Sequence, residues 1–175
     1  MANTITKEVR SAFVKGGGVH NATVRVQVSD GIGYHIIGLP DNAVKESLLR
    51  VITALQSIGA RVPGKKVVIT VEPVEEIKAN FSCFDLPIAV GILLASGQTS
   101  FEHAGAIIYG AVAIDGSLRA AGCEASVIDR ARFEKGLFVG SCNGCRGVYS
   151  NRNLIGFESL RHLVSYAETC NLLPL

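Results

Sequence analysis

Charge is scarce in this chain. Charged residues make up 18% of it, and 17 Lys and Arg stand against 15 Asp and Glu, a formal balance of +2. A protein built around the nucleic-acid backbone carries far more basic residues than that. Long apolar runs are missing too. The longest, Leu86 to Ala95 and Ala104 to Ile114, are too short to cross a bilayer and read as buried elements. Lys7, Glu8 and Arg10 interrupt the place where the apolar region of a secretory leader would lie, so the cytoplasm is the expected compartment. Only five prolines, and 19 glycines without a period, exclude collagen-like and low-complexity chains. The five cysteines (Cys83, Cys123, Cys142, Cys145 and Cys170) are odd in number and irregular in spacing. A secreted disulfide framework does not fit that pattern, and reduced thiols are expected.

Several chemical signatures are also absent. No GxxxxGK[ST] occurs, so the chain has no P-loop and is not expected to hydrolyse ATP. Gly31-Ile32-Gly33 lacks the third glycine of a dinucleotide fingerprint and reads as a turn. Cys142-Asn143-Gly144-Cys145 is a lone CxxC. A zinc site there needs two more ligands, and Cys83, Cys123 and His103 would serve only if the fold gathered them. Gly144 and Gly147 argue for a loop rather than the helix start of a redox pair. Cys142 and Cys145 are therefore the weak metal candidates, and neither metal nor cofactor is expected. His20, His35, His103 and His162 show no ligand spacing, and no Ser-His-Asp order stands out.

What is present is core material. Apolar residues are 48% of 175, enough for one domain with a real interior. Residues 1–66 hold nine Lys or Arg and four Asp or Glu, and residues 67–175 hold eight and eleven. A basic first half is compatible with a phosphate-facing surface, but a solvated face explains it more simply. Val24, Val26 and Val28 alternate with polar residues as in a half-buried strand. With the turn Asp30-Gly31 and the run Tyr34 to Ile37 they predict a hairpin. An earlier strand covers Ile5 to Val14, with Gly16-Gly17-Gly18 as its loop. Pro40-Asp41 opens a helix, with Asp41 placed to cap it. Its stripe is Val44, Leu48, Val51, Leu55 and Ile58, and Gly59 stops it. Lys66 to Glu72 is a strand. Asp85-Leu86-Pro87 opens a second helix, apolar all round and therefore buried, with Asp85 holding its free amides. Further on, Ile107 to Ile114 reads as a strand, Glu124 to Glu134 as a helix, Leu137 to Val139 as a strand and Gly156 to Cys170 as a closing helix.

From Gly38 to Gln98 the chain resembles the N-terminal domain of magnesium chelatase-like AAA+ proteins, the ComM/YifB family. The residues that carry this are Gly38-Leu39-Pro40-Asp41, Ala43-Val44-Lys45-Glu46-Ser47, Arg50-Val51, Pro63, Phe84-Asp85-Leu86-Pro87-Ile88-Ala89, Gly91-Ile92-Leu93 and Ala95-Ser96-Gly97-Gln98. Weaker similarity continues through Asp115 to Arg119, Val139 with Asn143, and Glu158 to Leu160. The resemblance implies an α/β two-layer sandwich over residues 1–175. Its core, residues 1–98, would be ribosomal S5 domain 2-like (three strands, helix, strand, helix), and a Lon-type β/α extension would fill residues 99–175. It marks Gly38, Leu39, Pro40, Lys45, Glu46, Arg50, Asp85, Leu86 and Pro87 as structural or interaction positions. Lys78-Ala79-Asn80-Phe81-Ser82 departs from the family's Lys-Glu-Gly. Ala120 replaces a proline, and cysteines flank Asn143.

Lon proteases place a nucleophilic serine in an Asp-Gly-Pro-Ser-Ala-Gly segment. Asp85 to Val90 lies in register with it, which puts Ile88 at the serine position. The partner lysine falls at about Ala125, and no lysine occurs between Lys78 and Lys135. An aliphatic side chain cannot attack a carbonyl, so no peptidase activity is expected. Ser82 with Lys78, or Ser96, is the residual candidate for a displaced site. In full-length members the domain precedes an AAA+ module implicated in handling DNA during transformation. The leading expectation is a non-catalytic module that docks on an AAA+ ATPase or on its own copies, with no membrane contact. The alternatives are a stand-alone nucleic-acid-binding domain and a Lon-like peptidase homologue with a degenerate or displaced site.

Overall fold

The computed structural model describes residues 3–73, 81–101, 105–142 and 146–171. β1 (Ile5–Lys15) and β2 (Gly18–Ser29) form a long antiparallel hairpin in which Val9 faces Val24 and Lys15 faces Gly18. Gly16 and Gly17 make the reversal at φ 59° and 77°, a conformation that only glycine adopts freely. β3 (Gly33–Ile37), α1 (Asp41–Ser57) and β4 (Lys66–Glu72) follow. The strand order is β1-β2-β4-β3. The expected hairpin between β2 and β3 therefore does not form, because β4 lies between them, antiparallel to β2 and parallel to β3. The reason lies in the inward faces. Val67, Ile69 and Val71 of β4 are fully buried beside Val24, Val26 and Val28. β3 is only five residues long and half exposed, so it takes the edge.

One face of this sheet carries α1 and α2 (Asp85–Ala95). Pro40, not Asp41, occupies the cap position of α1, and no side chain caps it. Asp41 lies in the first turn, where its charge meets the helix dipole. The C-terminus ends as read, with Gly59 at φ 79° and its N–H donating to the Gln56 carbonyl at 3.0 Å. The buried positions are Ala43, Ser47, Val51, Ala54 and Leu55, so the inward stripe is rotated by about one residue from the predicted one. Val44, Leu48 and Ile58 pack at its margin. α2 follows a single tight turn, Phe81–Phe84, and every one of its 11 residues is buried. Gly91 permits this approach, since a Cβ there would stand 2.5 Å from Val26 Cγ2.

The second half uses shorter pieces: β5 (Ile107–Ile108), β6 (Ala111–Val112), β7 (Leu118–Arg119), α3 (Glu124–Phe133), β8 (Phe138–Ser141), β9 (Val148–Ser150), β10 (Leu154–Phe157) and α4 (Leu160–Asn171). β5, β8 and β10 run parallel and β9 antiparallel at the edge, while β6 and β7 pair around Asp115-Gly116. Two expectations change. Ile107 to Ile114 is not one strand. It breaks at Gly110, whose carbonyl accepts from Leu86 N–H (3.0 Å) and whose N–H donates to the Cys83 carbonyl (3.1 Å). The chain leaves the sheet there to close on the start of α2. Gly156 does not open the last helix either. It lies inside β10, paired with Gly140, and α4 begins at Leu160 after Ser159 bonds His162.

Core residues from both halves form one cluster. Phe84, Leu86, Ile88 and Ile92 pack in it with Tyr109, Phe138 and Phe157. The architecture is mixed α/β, with helices layered on sheet. Among the described residues no helix is long and apolar enough to cross a membrane. Cys83 and Cys123 form no disulfide, but Cys142 is disulfide-bonded. This corrects the expectation that all the thiols are reduced.

Candidate functional site

Asp85 opens α2 and is fully buried. It does not hold the first-turn amides as expected. Its carboxylate reaches across to α1 instead. Ser47 Oγ donates to Oδ1 at 2.8 Å, Arg50 Nε to Oδ2 at 2.7 Å and Arg50 Nη2 to Oδ1 at 3.3 Å. The backbone N–H of Val112 adds a further donor. Ser47 and Arg50 stand three residues apart, so α1 presents both on one face. Burial pushes the Asp85 carboxyl up from the ordinary range, while Arg50, Ser47 and Val112 pull it back. Arg50 is held more firmly protonated, chiefly by its hydrogen bond to Asp85. The planar guanidinium grips both carboxylate oxygens in a way that a lysine cannot. Its outer edge remains at the surface, 3.7 Å from Glu46, whose side chain is 72% exposed.

The remaining motif residues surround this lock. Gly38 sits at φ 106°, where a Cβ would collide with the Val71 carbonyl, so the exit from β3 requires glycine. Leu39 is buried, Pro40 starts α1 at the surface, and Lys45 is exposed beside Glu46. Leu86 and Pro87 are core residues. Pro87 lies within the first turn of α2, where a missing N–H leaves no helix bond unmade. The fold thus brings Glu46, Arg50 and Asp85 together and sets the other motif residues around them as scaffold. Sequence reasoning missed Ser47 and Val112. Ser47's position three residues before Arg50 was the available signal, and Val112 had none.

Ile88, at the Lon serine position, is fully buried, and Ala125 is exposed in the first turn of α3. Ser82 is half-buried, and Ser96 Oγ donates to the Ile92 carbonyl at 2.7 Å. Lys78, His103, Asn143 and Cys145 lie outside the described residues. Among the described residues no three His, Cys, Asp or Glu side chains gather as a metal site.

A second feature lies at the end of α3. Arg10 and Arg130 both grip Glu134, at 2.5 and 2.7 Å, and hold its carboxyl below the ordinary range. Arg10, Glu134, Lys135 and Arg152 line an open cleft of about 540 Å³. Phe133, beside it in sequence, is 85% exposed.

Together the layered α/β fold, the wholly internal second helix and the lock that ties it to the first define a mixed α/β domain built around a buried ion pair. The family model of subunit ChlI of Mg-chelatase matches residues 24–142, which span both helices. The chain belongs to this magnesium chelatase-like family, in the branch of ComM and YifB. It is 30% identical to the competence protein ComM of Haemophilus influenzae over 157 residues, 87% of this chain and 31% of that protein. It is 31% identical to YifB of Salmonella typhimurium over 150 residues, 83% and 29% of the two chains. YifB of Escherichia coli is 36% identical over 99 residues, 55% and 19%. The chain therefore spans about a third of the length of these curated relatives.

Proposed function

We propose that this chain is a non-catalytic interaction domain that docks on an AAA+ ATPase module and serves DNA processing in competence, the process named in the Haemophilus relative. The observation that carries the non-catalytic part is Ile88. The position where a Lon-type enzyme needs its nucleophile holds an aliphatic side chain inside the core. The docking part is supported by α1. Asp85 fixes this helix from within, and Glu46, Lys45 and the 69% exposed Leu49 stand on its outer side. Leu49 offers an apolar contact on this outer side, with Lys45 and Glu46 beside it for charged ones. The test is capture of the ATPase part of a ComM-type relative by this chain. Binding that Leu49→Asp weakens about tenfold is expected. Peptide hydrolysis that is lost in a Ser82→Ala variant would overturn the reading.

A nucleic-acid reading is favoured by one observation, the cleft at the end of α3. Arg10, Lys135 and Arg152 line it with Glu134, which pairs with Arg10, and the solvent-exposed Phe133 precedes Glu134 in the chain. Cations that follow a backbone and an aromatic ring that stacks a base are the components of single-strand binding. This reading requires an affinity for oligonucleotides that falls steeply with salt and with Phe133→Ala. Docking on a partner alone requires neither.

A further inference from the structure

Apart from both sites the molecule carries a formed pocket. It lies where the ends of β1 and β2, the C-terminus of α2 and the connection from α1 to β4 meet. Its volume is about 400 Å³, within the size range of small-molecule sites. Ile5, Val28, Val62, Pro63 and Ala95 supply apolar walls, and Arg61 and Lys65 are its cationic lining residues.

Both sides of the pocket are fixed by hydrogen bonds. Gln98 binds the Arg61 backbone in both directions: Arg61 N–H donates to Oε1 at 2.7 Å, and Nε2 donates to the Arg61 carbonyl at 2.6 Å. Gln98 Nε2 also donates to Ser96 Oγ at 2.8 Å. On the other side Tyr34 Oη donates to the Pro63 carbonyl at 2.7 Å, and burial pushes this phenol up to about 12. The loop Arg61–Lys65 is therefore held in place by contacts that do not depend on an occupant.

The polar character of the pocket points to an anion. Arg61 makes no ion pair among the described residues, and Lys65 has only a loose one, 3.8 Å from the exposed Asp30. The negative end of α2 offers little opposition. Ser96 N–H donates to the Ile92 carbonyl, Gly97 N–H to Leu94 and Gln98 N–H to Leu93, which engages three of the helix's last four carbonyls. An apolar floor with free positive charge at one side fits a ligand with an apolar body and one acidic group.

We propose that this pocket binds a small amphipathic acid, an aromatic or branched body ending in a carboxylate or sulfonate, with Arg61 and Lys65 holding the acid. The proposal goes beyond the docking function and does not depend on it. The first probe is 8-anilinonaphthalene-1-sulfonate, and the uncharged N-phenyl-1-naphthylamine is the control. Saturable binding at one site is expected, with fluorescence rising as the dye enters the apolar floor. Arg61→Gln with Lys65→Gln should weaken the sulfonate about tenfold, the scale of a lost charge-assisted contact, and leave the neutral dye within about twofold. Both residues are exposed, so the fold should survive, which circular dichroism checks. Shifts of amide resonances on adding the sulfonate should centre on Val62 to Lys65 and Val28. Equal binding of the two dyes, indifference to the double variant, shifts centred elsewhere, or no saturable binding at all would each overturn the proposal.

Discussion

The two halves of the molecule build their sheets differently. In the first, β1 and β2 run for 11 and 12 residues, and a continuous face of valines and Ile69 covers both β2 and β4. In the second, no strand among the described residues exceeds four residues, and the sheet depends on short parallel pairings flanked by α3 and α4. Long antiparallel strands carry many ladder bonds within a few neighbours of each other. Short parallel ones must be held by what packs on them. The first half therefore sets the frame, and the second joins it through α2 against β6 and through β5 against β1.

The largest expected effect lies at the tie between α2 and α1, inside the frame. Asp85→Ala leaves the buried Ser47 hydroxyl without its acceptor and the part-exposed Arg50 guanidinium with Glu46 alone. A loss of about 3 kcal/mol in urea unfolding is expected, the low end for breaking a buried pair because Arg50 keeps its outer edge in water. A loss near 1 kcal/mol, as for a simple helix cap, would mean that the lock matters little.

Next come two glycines, one in each half. A Cβ at Gly91 would press on Val26 of the long sheet, and one at Gly156 on Cys142 beside the short one. Gly91→Ala is expected to cost about 2–3 kcal/mol and Gly156→Ala about 1–2, because the shorter strands can shift aside. The reverse order would show that the second sheet is the stiffer frame. Hydrogen exchange should agree: amides of β2, β4 and α2 should open only with global unfolding, and those of β9 and β10 earlier.

The smallest effect compares two helix ends of the same design. Gly59 and Lys135 occupy equivalent left-handed positions, after α1 and after α3. Lysine there is strained. Lys135→Gly should raise stability by about 0.5–1 kcal/mol, and Gly59→Ala should lower it by a similar amount. Melting temperatures check both.

The sequence was legible where one short window holds the whole signal. The alternation at Val67, Ile69 and Val71 predicts β4 with its bounds, and the apolar density from Leu86 to Ala95 predicts a buried α2. Alternation names the inward face but not the neighbouring strand, so the insertion of β4 between β2 and β3 could not be read. Asp85 looked like a cap because its partners Ser47 and Arg50 are 38 and 35 residues away. β9 and β10 are too short to show a period, and Gly156 weakens the pattern further. Ile88 was placed correctly in the core, for the same reason that α2 was.

A helix with no outward side also has no tolerant side. If every position of the chain were randomised and functional variants counted, α1 should show a repeating rhythm, with acceptance rising at Asn42, Glu46, Leu49 and Thr53 and falling at Ala43, Ser47, Val51 and Ala54. α2 should show no rhythm, only an unbroken cold stretch from Asp85 to Ala95, in which even glycine is closed to exchange. Drift between related chains would then accumulate around this segment and seldom within it, so its spelling would outlast that of any surface the domain uses to meet its partners.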